Sequence, residues 1–269
     1  MRMRRLLLLL ALSAAGLAST SAPAATGPVL KINFPEGWSA RLMADRAAEV
    51  RQIAIRKRGV TPRLSGATYA AATRAAKAPA TFRPFLKRRS IEGFLFPSTY
   101  FFQPSSSAAS LVARQMETFE QRWAPIDLRA AKARKRTAYD VLIIASLIEK
   151  ETVAPGERAL VAAVIYNRLE QGMPLAIDAS LRYGLGVEGT RPLKQSHLRS
   201  DSPYNTHRFK GLPPTPITNP GVPSMRAAAK PASVDYLYYV RKPDGVHHFF
   251  TADEQEFCDK AVEYGYPGC

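Results

Sequence analysis

Residues 143–152 read IIASLIEKET, an apolar segment that ends abruptly in Glu149, Lys150 and Glu151. Apolar residues fill almost every position from 141 to 148. A helix that is apolar on all sides is normally buried, so this segment predicts the central helix of the core. The residues TAYD at 137–140 match a capping box, which predicts where the helix begins.

A second helix is predicted directly after the first, over residues 155–171. Pro155 suits the first turn of a helix, and Gly172 stands where a glycine commonly ends one. Strands are predicted at 29–34, 92–102, 236–240 and 246–251, and further helices at 40–57, 64–80, 105–124 and 253–264. Residues 198–222 are rich in proline and predict a long irregular loop.

Glu149 is the first candidate for chemistry. A carboxyl group at the end of a buried helix can hold its proton, because burial disfavours the charged form. A carboxylic acid that is still protonated near neutral pH can serve as a general acid when a glycosidic bond breaks. The alternative is a surface salt bridge between Glu149 and Lys150 or Arg158.

The amino terminus has the pattern of an export signal. Arginines precede an apolar stretch at 6–18, and residues 22–24 (APA) fit a small-residue cleavage site. The apolar stretch is short for a bilayer span, so we expect cleavage near Ala24, with a retained anchor as the alternative. No other stretch approaches the length of a membrane span.

The chain is strongly basic, with a formal charge of +16, and removing Arg2, Arg4 and Arg5 with the signal leaves +13. Such a charge favours an anionic partner: nucleic acid, anionic lipid or a cell-wall polymer. Export excludes nucleic acid. A generally basic proteome would produce the same composition.

The only cysteines are Cys258 and Cys269. In an exported protein such a pair predicts a disulfide, and it lacks the ligand count of a structural zinc site. The adjacent His247 and His248 would point to opposite faces of a strand. We expect neither a metal nor a cofactor.

Five segments occur in an order that resembles the MltG/YceG-like endolytic murein transglycosylases. They are EGFLFPSTY (92–100), ASLIEKET (145–152), YNRLEQGMPLAIDASLRYG (166–184), SPYNTHRFKGLPPTPITNPG (202–221) and the pair YLYYV and DGVHHFFT (236–251). The resemblance extends from about residue 33 to residue 264.

The resemblance implies an α+β fold with a small N-terminal unit before a larger domain of helices and sheet. It implies a signal peptide at 1–24, a reduced LysM-like subdomain at 25–85 and an endolytic transglycosylase catalytic domain at 86–269. It further implies that the protein is exported, to the periplasm or the outer face of the cytoplasmic membrane. The expected partner is the glycan strand of peptidoglycan, with the cell-wall synthesis machinery as a further candidate.

The implied reaction cleaves the MurNAc–GlcNAc bond within glycan strands without water and leaves 1,6-anhydro-MurNAc ends, with Glu149 as general acid and base. A hydrolase usually needs two carboxylates, whereas an intramolecular hydroxyl is already tethered at high effective concentration. One carboxyl group can then serve both steps. The alternatives are a muramidase that uses water and a non-catalytic protein that binds the cell wall.

Six polar residues of the matching motifs are candidate substrate contacts: Glu92, Asn167, Asp178, Tyr204, Asn205 and Thr206. Tyrosine can stack on a sugar face, and asparagine offers both donors and an acceptor. Glu92 could instead satisfy main-chain donors at a turn, and Asn167 and Asp178 could hold the loops that carry them. Glu151 is turned about 200° around the helix from Glu149 and should face away from the cleft.

Overall fold

The computed structural model describes residues 28–187 and 193–266. Its helices are α1 Ala40–Arg58, α2 Gly66–Ala75, α3 Ala108–Trp123, α4 Arg129–Ala133, α5 Ala138–Glu151, α6 Arg158–Glu170, α7 Asp178–Leu185, α8 Gln195–Leu198, α9 Val222–Ala229 and α10 Glu254–Glu263. Its strands are β1 Leu30–Asn33, β2 Thr99–Phe102, β3 Tyr238–Arg241 and β4 His248–Thr251, and 3₁₀ turns span Ala80–Phe85 and Pro155–Glu157. No helix in the described ranges has the length and apolar character needed to cross a bilayer. The signal peptide predicted at 1–24 lies outside these ranges.

Helix α5 is the centre of the core, as its sequence predicts. The Thr137 hydroxyl accepts from the Asp140 N–H at 3.1 Å, and the Asp140 carboxylate accepts from the Thr137 N–H at 2.9 Å, which completes the predicted capping box. Every residue from 141 to 148 is buried, and the helix packs against α6 and α9. Burying each large apolar side chain contributes about 1.5–3 kcal/mol, so this helix is a major source of stability.

The predicted α+β class is confirmed by two small antiparallel sheets set among the helices. In the first sheet β1 pairs with β2, so that Leu30 lies opposite Phe102 and Asn33 lies opposite Thr99. Strand β1 precedes the domain boundary predicted at residues 85–86 and β2 follows it, and one apolar core runs from residue 30 to residue 229. The LysM-like character of residues 25–85 stays a prediction.

The aromatic run at 92–102 is only partly a strand. Residues 99–102 form β2, whereas residues 92–98 form a buried loop. The main-chain N–H groups of Gly93 and Leu95 both donate to the Asn219 side chain at 2.9 Å, so they are not available to a sheet. Gly93 has a φ of +90°, and a Cβ there would lie 2.7 Å from Pro216. The turn therefore requires glycine, and the prediction of strand over the whole run was wrong.

The second sheet is the predicted C-terminal hairpin, in which Tyr238 lies opposite Thr251 and Arg241 opposite His248. It packs against α6 and α10. Glu157 ties the hairpin to the start of α6, because its carboxylate accepts from the His248 N–H at 2.9 Å and contacts Nδ1 of the same residue at 2.7 Å.

The C-terminal cysteine pair is seen in part. Cys258, on α10, is disulfide-bonded. Cys269, its predicted partner, lies outside the described residues.

The sequence did not predict helices α7 and α9. Helix α9 is rich in alanine and buries Ser224 and Met225 together with residues 227–229. Its small side chains allow a close approach to α5. Since α9 has little polar surface, its sequence lacks the alternation of apolar and polar residues that marks an amphipathic helix.

Phe94 is expected to be a major contributor to the folded state. Its buried ring lies 5.0 Å from the Phe82 ring, 5.1 Å from the Phe119 ring and 6.2 Å from the Tyr139 ring, measured between centroids. Phe94→Ala should lower the free energy of unfolding by about 3–5 kcal/mol. Phe101→Ala, at a ring that is 56% exposed, should stay within about 1 kcal/mol of wild type. Urea denaturation measures both, and equal losses would contradict this assignment of the core.

Candidate functional site

Glu149 lies in the last turn of α5 with its side chain partly exposed. Its Oε2 accepts from the Gly221 N–H at 3.0 Å. A Cβ added to Gly37 would lie 3.5 Å from the Glu149 Cγ, so the Gly37 turn packs against this side chain. Within the described residues Glu149 has no ion pair, neither with Lys150 nor with Arg158. Its second carboxyl oxygen is therefore available.

The walls around Glu149 come from two distant segments, the turn at 35–38 and the loop end at 219–221. The Gly37 N–H donates to the Asn219 carbonyl at 3.1 Å, and the Asn219 N–H donates to the Trp38 carbonyl at 3.0 Å. These reciprocal bonds fix the turn before α1 against the end of the proline-rich loop. The amino-terminal part of the chain thus contributes directly to the surroundings of Glu149.

Asn219 is a residue that sequence reasoning missed. Its side chain is fully buried, and its Oδ1 accepts from the N–H groups of Gly93 and Leu95, both at 2.9 Å. Its Nδ2 donates to the Trp38 carbonyl at 2.9 Å and to Glu92 at 2.7 Å. The residue lies within the matched segment 202–221, but an asparagine among prolines is also a common turn former, and no local signal marks it out.

Glu92 is 4% exposed and caps the start of α1. Its two oxygens accept from the Ala40 N–H at 3.0 and 3.2 Å, and they also accept from the Asn219 amide and from the Tyr183 hydroxyl at 3.2 Å. Burial raises the pKa of Glu92 to about 8, and these donors only partly offset it. Glu92 therefore satisfies main-chain donors, the alternative weighed for it, while it also borders a cavity.

Two cavities share the lining residues Ser39 and Tyr183, and Glu149 itself lines neither. The larger has a volume of about 840 Å³, and its lining includes Ser39, Arg41, Arg74, Arg89, Glu92, Tyr183 and Tyr204. The smaller, of about 190 Å³, has a lining that includes Gly37, Ser39, Lys150, Arg182, Tyr183 and Thr218. The smaller cavity thus reaches the Gly37 turn packed on Glu149, and the two cavities together are called the groove below.

Tyr204 and Asp178 both have accessible surface. The Tyr204 ring lies edge-on to Tyr183 at 5.1 Å, and its hydroxyl is 2.8 Å from the Thr215 hydroxyl. Tyr204 thus lines the larger cavity. Asp178 is exposed at the start of α7, where its Oδ1 lies 2.8 Å from Nε2 of His207.

The side chains of Asn205 and Thr206 are buried and bind the main chain of their own surroundings. The Asn205 amide donates to the carbonyls of residues 198 and 200 at 2.9 and 2.8 Å. The Thr206 hydroxyl accepts from the Ile177 N–H at 3.0 Å and donates to the Ile177 carbonyl at 3.2 Å. Both residues hold the loop in place and neither borders the groove.

Asn167 lies on another face from the groove. Its amide donates to the carbonyls of Val234 and Tyr236 at 3.0 and 2.9 Å, so it fixes the segment that leads into β3. Glu151 likewise faces away from the groove, as expected, and accepts from the Tyr239 hydroxyl at 2.8 Å. Burial raises the pKa of Glu151.

Known proteins resemble most of this chain. The model of the YceG-like family matches residues 10–263. A relative from Bacillus subtilis named endolytic murein transglycosylase is 37% identical over 155 residues, which cover 58% of this chain and 43% of the relative. A relative of the same name from Streptococcus pneumoniae D39 is 32% identical over 157 residues, covering 57% of this chain and 28% of the relative. The chain thus spans less than half the length of these curated relatives.

The fold is also similar to a solved structure. The crystal structure of a YceG-like protein from Listeria monocytogenes superposes with a TM-score of 0.71 at 28% identity, covering 86% of this chain and 75% of that one. The similarity in fold therefore extends over most of the chain.

Glu92 should make the stability of the protein depend on pH. The unfolded chain releases this proton near the ordinary carboxyl pKa, whereas the folded chain holds it until about pH 8. The stabilisation is complete below the unfolded pKa and is lost as the pH rises towards 8. Relative to Glu92→Gln, which cannot ionise, wild type should lose about 1.4 kcal/mol of unfolding free energy per pH unit in that window.

Urea unfolding of both proteins between about pH 5 and pH 7 measures this slope, whatever constant offset the substitution introduces. Glu120→Gln, at an exposed glutamate of α3, is the matched control and should parallel wild type. A difference between wild type and Glu92→Gln that stays constant with pH would show that the pKa of Glu92 is not raised.

Proposed function

Because the chain belongs to the YceG-like family, we propose that it is a lytic transglycosylase that cleaves peptidoglycan within its glycan strands. The observation that carries the proposal is the Glu149 carboxyl next to Gly37, which lines the smaller cavity, with one oxygen fixed by Gly221 and no ion pair among the described residues. The two relatives named endolytic murein transglycosylase support it. The five sequence segments had indicated the same family.

In the proposed reaction Glu149 serves first as acid and then as base. It gives its proton to the glycosidic oxygen as the bond from C1 of MurNAc to O4 of GlcNAc breaks. The 6-hydroxyl of the same MurNAc bonds to C1, and its proton passes to the Glu149 carboxylate. The products are a 1,6-anhydro-MurNAc end and a free GlcNAc 4-hydroxyl, and no water is consumed. The tethered hydroxyl supplies a high effective concentration of nucleophile.

The hydrogen bond from Gly221 gives the Glu149 carboxyl a defined orientation. Since Oε2 accepts from the main chain, Oε1 is the oxygen placed to carry and exchange the proton. The Gly221 N–H is a main-chain donor, so it is more rigid than a donor on a long side chain would be. This matters because general acid catalysis requires the acid within hydrogen-bond reach of the leaving oxygen.

We place the glycan strand in the groove. The larger cavity offers the rings of Tyr183 and Tyr204 to sugar faces, and Arg74 and Arg89 to the carboxylates of stem peptides. Of the six candidate contacts, Glu92 and Tyr204 border this cavity, and Asp178 stays a candidate at the exposed start of α7.

The arrangement of domains and the location are part of this proposal. Residues 25–85 act as a reduced LysM-like unit that completes the groove, since Arg41 and Arg74 lie in it. Residues 86–269 form the catalytic domain. The protein acts outside the cytoplasm, in the periplasm or at the outer face of the cytoplasmic membrane, on peptidoglycan and beside the cell-wall synthesis machinery.

Glu149→Gln should keep the shape of the side chain while it removes the exchangeable proton. We expect at least about a hundredfold loss of cleavage rate with an unchanged melting temperature. Digestion of purified sacculi followed by mass spectrometry gives both rate and product. Wild type should release 1,6-anhydro ends, and Glu120→Gln should match it.

Three outcomes would overturn the proposal. Reducing ends in place of anhydro ends would identify a water-using muramidase. Full activity in Glu149→Gln would remove Glu149 from the reaction, and no cleavage by wild type would favour a protein that only binds the cell wall.

The arginines of the larger cavity should contribute to sacculus binding through charge. Arg74→Glu/Arg89→Glu should weaken binding at least about tenfold at low salt, and the difference should shrink near 1 M salt, where the Debye length is about 3 Å. Arg56→Glu/Lys57→Glu makes the same change of net charge at the far end of α1. Equal losses in both double variants would show that only total charge matters.

A further inference from the structure

We propose that Glu36 is a second carboxyl group of this site, one whose negative charge acts on Glu149 across Gly221. The inference deepens the proposed function and rests on it, because it assumes that Glu149 is the acid. Glu36 acts through Glu149 and is therefore a positioning residue. It lies in the turn before α1, far from Glu149 along the chain, and no sequence pattern singled it out.

The two carboxyl groups lie on either side of Gly221. The Gly221 N–H donates to Oε2 of Glu149 at 3.0 Å. The Glu36 carboxyl lies directly against the Gly221 Cα, and a Cβ built there would overlap Oε1 of Glu36 and lie 2.7 Å from Oε2. With ordinary backbone dimensions the nearest oxygens of the pair are within about 8 Å of each other.

The position of Glu36 is built into the fold. The neighbouring Gly37 has a φ of +76°, a conformation that favours glycine, and its N–H is bonded to the Asn219 carbonyl. The Trp38 carbonyl accepts from Asn219 in turn. The turn is thus held on both sides of the peptide that follows Glu36, which directs this side chain over Gly221.

The Glu36 carboxyl itself has no hydrogen bond or ion pair within the described part of the chain. Its side chain is exposed. Glu36 differs in this from the buried Glu92 and Glu157, whose oxygens are bonded to the protein.

The charges around Glu36 couple it to Glu149. Its pKa is raised, first by partial desolvation and second by the negative charge of Glu149, while Arg158 acts in the opposite direction. Lys150 and Arg182 are further cations at the cavity that Gly37 lines, and the Lys150 Cδ packs on the Gly37 turn. Two nearby carboxylates resist ionising together, so removing the charge of one makes the other easier to ionise.

This coupling fits both halves of the reaction. In the proposed reaction Glu149 carries the proton that is transferred, and Glu36 carries a negative charge on the other side of Gly221. When Glu149 gives its proton to the leaving oxygen, the pair becomes doubly ionised. The repulsion then favours uptake of the 6-hydroxyl proton as the bond from O6 to C1 forms. The Glu36 charge therefore supports the acid step and the base step alike.

The test is the pH profile of kcat/KM on soluble glycan strands, with Glu149→Gln measured first to establish the acid. Glu36→Gln removes the charge, so the alkaline limb of the profile should move at least about one pH unit towards acid, which is about a tenfold loss on that limb. Activity on the acid side should fall as well, because the base step loses support, but by less than about threefold. Glu36→Asp keeps the charge, so the alkaline limb of its profile should stay close to the wild-type position.

Gly221→Ala provides a second, independent perturbation. The φ of Gly221 is −79°, which alanine tolerates, but the new methyl group must displace the Glu36 carboxyl. Because the carboxyl is displaced, the alkaline limb of the pH profile should shift as it does in Glu36→Gln, although Glu36 is still present. Circular dichroism and melting temperature confirm that each variant is folded, and Glu120→Gln should leave the profile unchanged.

The outcomes separate the two proposals. If Glu36→Gln lowers the rate equally at every pH, or leaves the profile in place, Glu36 has only a structural role and the inference is wrong. If Glu149→Gln remains active, the proposed function fails whatever Glu36 does. A shift of the alkaline limb in Glu36→Gln and Gly221→Ala, but not in Glu36→Asp, supports the proposed action of Glu36 on Glu149.

Discussion

The site depends on one buried amide, the side chain of Asn219. Its oxygen accepts two N–H groups from the 93–95 turn, and its nitrogen donates to the main chain before α1 and to Glu92. Breaking any of these bonds would leave a buried polar group unpaired, at a cost of about 1–3 kcal/mol. Three separate segments are therefore held at fixed positions, and Gly221, two residues further on, presents its N–H to Glu149.

Local signals predicted the scaffold of this protein well. Each signal consists of residues that are close to one another along the chain: the capping box at 137–140, the apolar run to residue 148 and the turn of the C-terminal hairpin. Each formed its element as expected. Helix α9 had no such signal, because buried alanines leave no amphipathic pattern. The 92–98 loop has the composition of a strand, but the φ of +90° at Gly93 and the bonds to distant Asn219 are incompatible with one.

The site itself was predicted less completely, and burial explains why. Glu149 is placed by the helix that carries it, so the sequence could predict its position, and its role stays a proposal. Asn167, Asn205 and Thr206 have side chains that could bind sugar, but in the fold they face main-chain groups that would otherwise be unpaired. Which of these two roles a polar residue takes depends on its neighbours in space. The same limit hid Glu36, whose neighbours Gly221 and Glu149 are far along the chain.

The turn at 35–38 and Gly221 are far apart along the chain, and this separation affects how the protein folds during synthesis. The ribosome synthesises this turn early and Gly221 late. Strand β1 can likewise pair only after β2 has been synthesised. Long-range contacts of this kind form slowly, because the intervening chain must be ordered first. A nascent chain that has not reached Gly221 therefore has Glu149 without the N–H group that binds its carboxyl. The surroundings of Glu149 are complete only once the whole fold has formed.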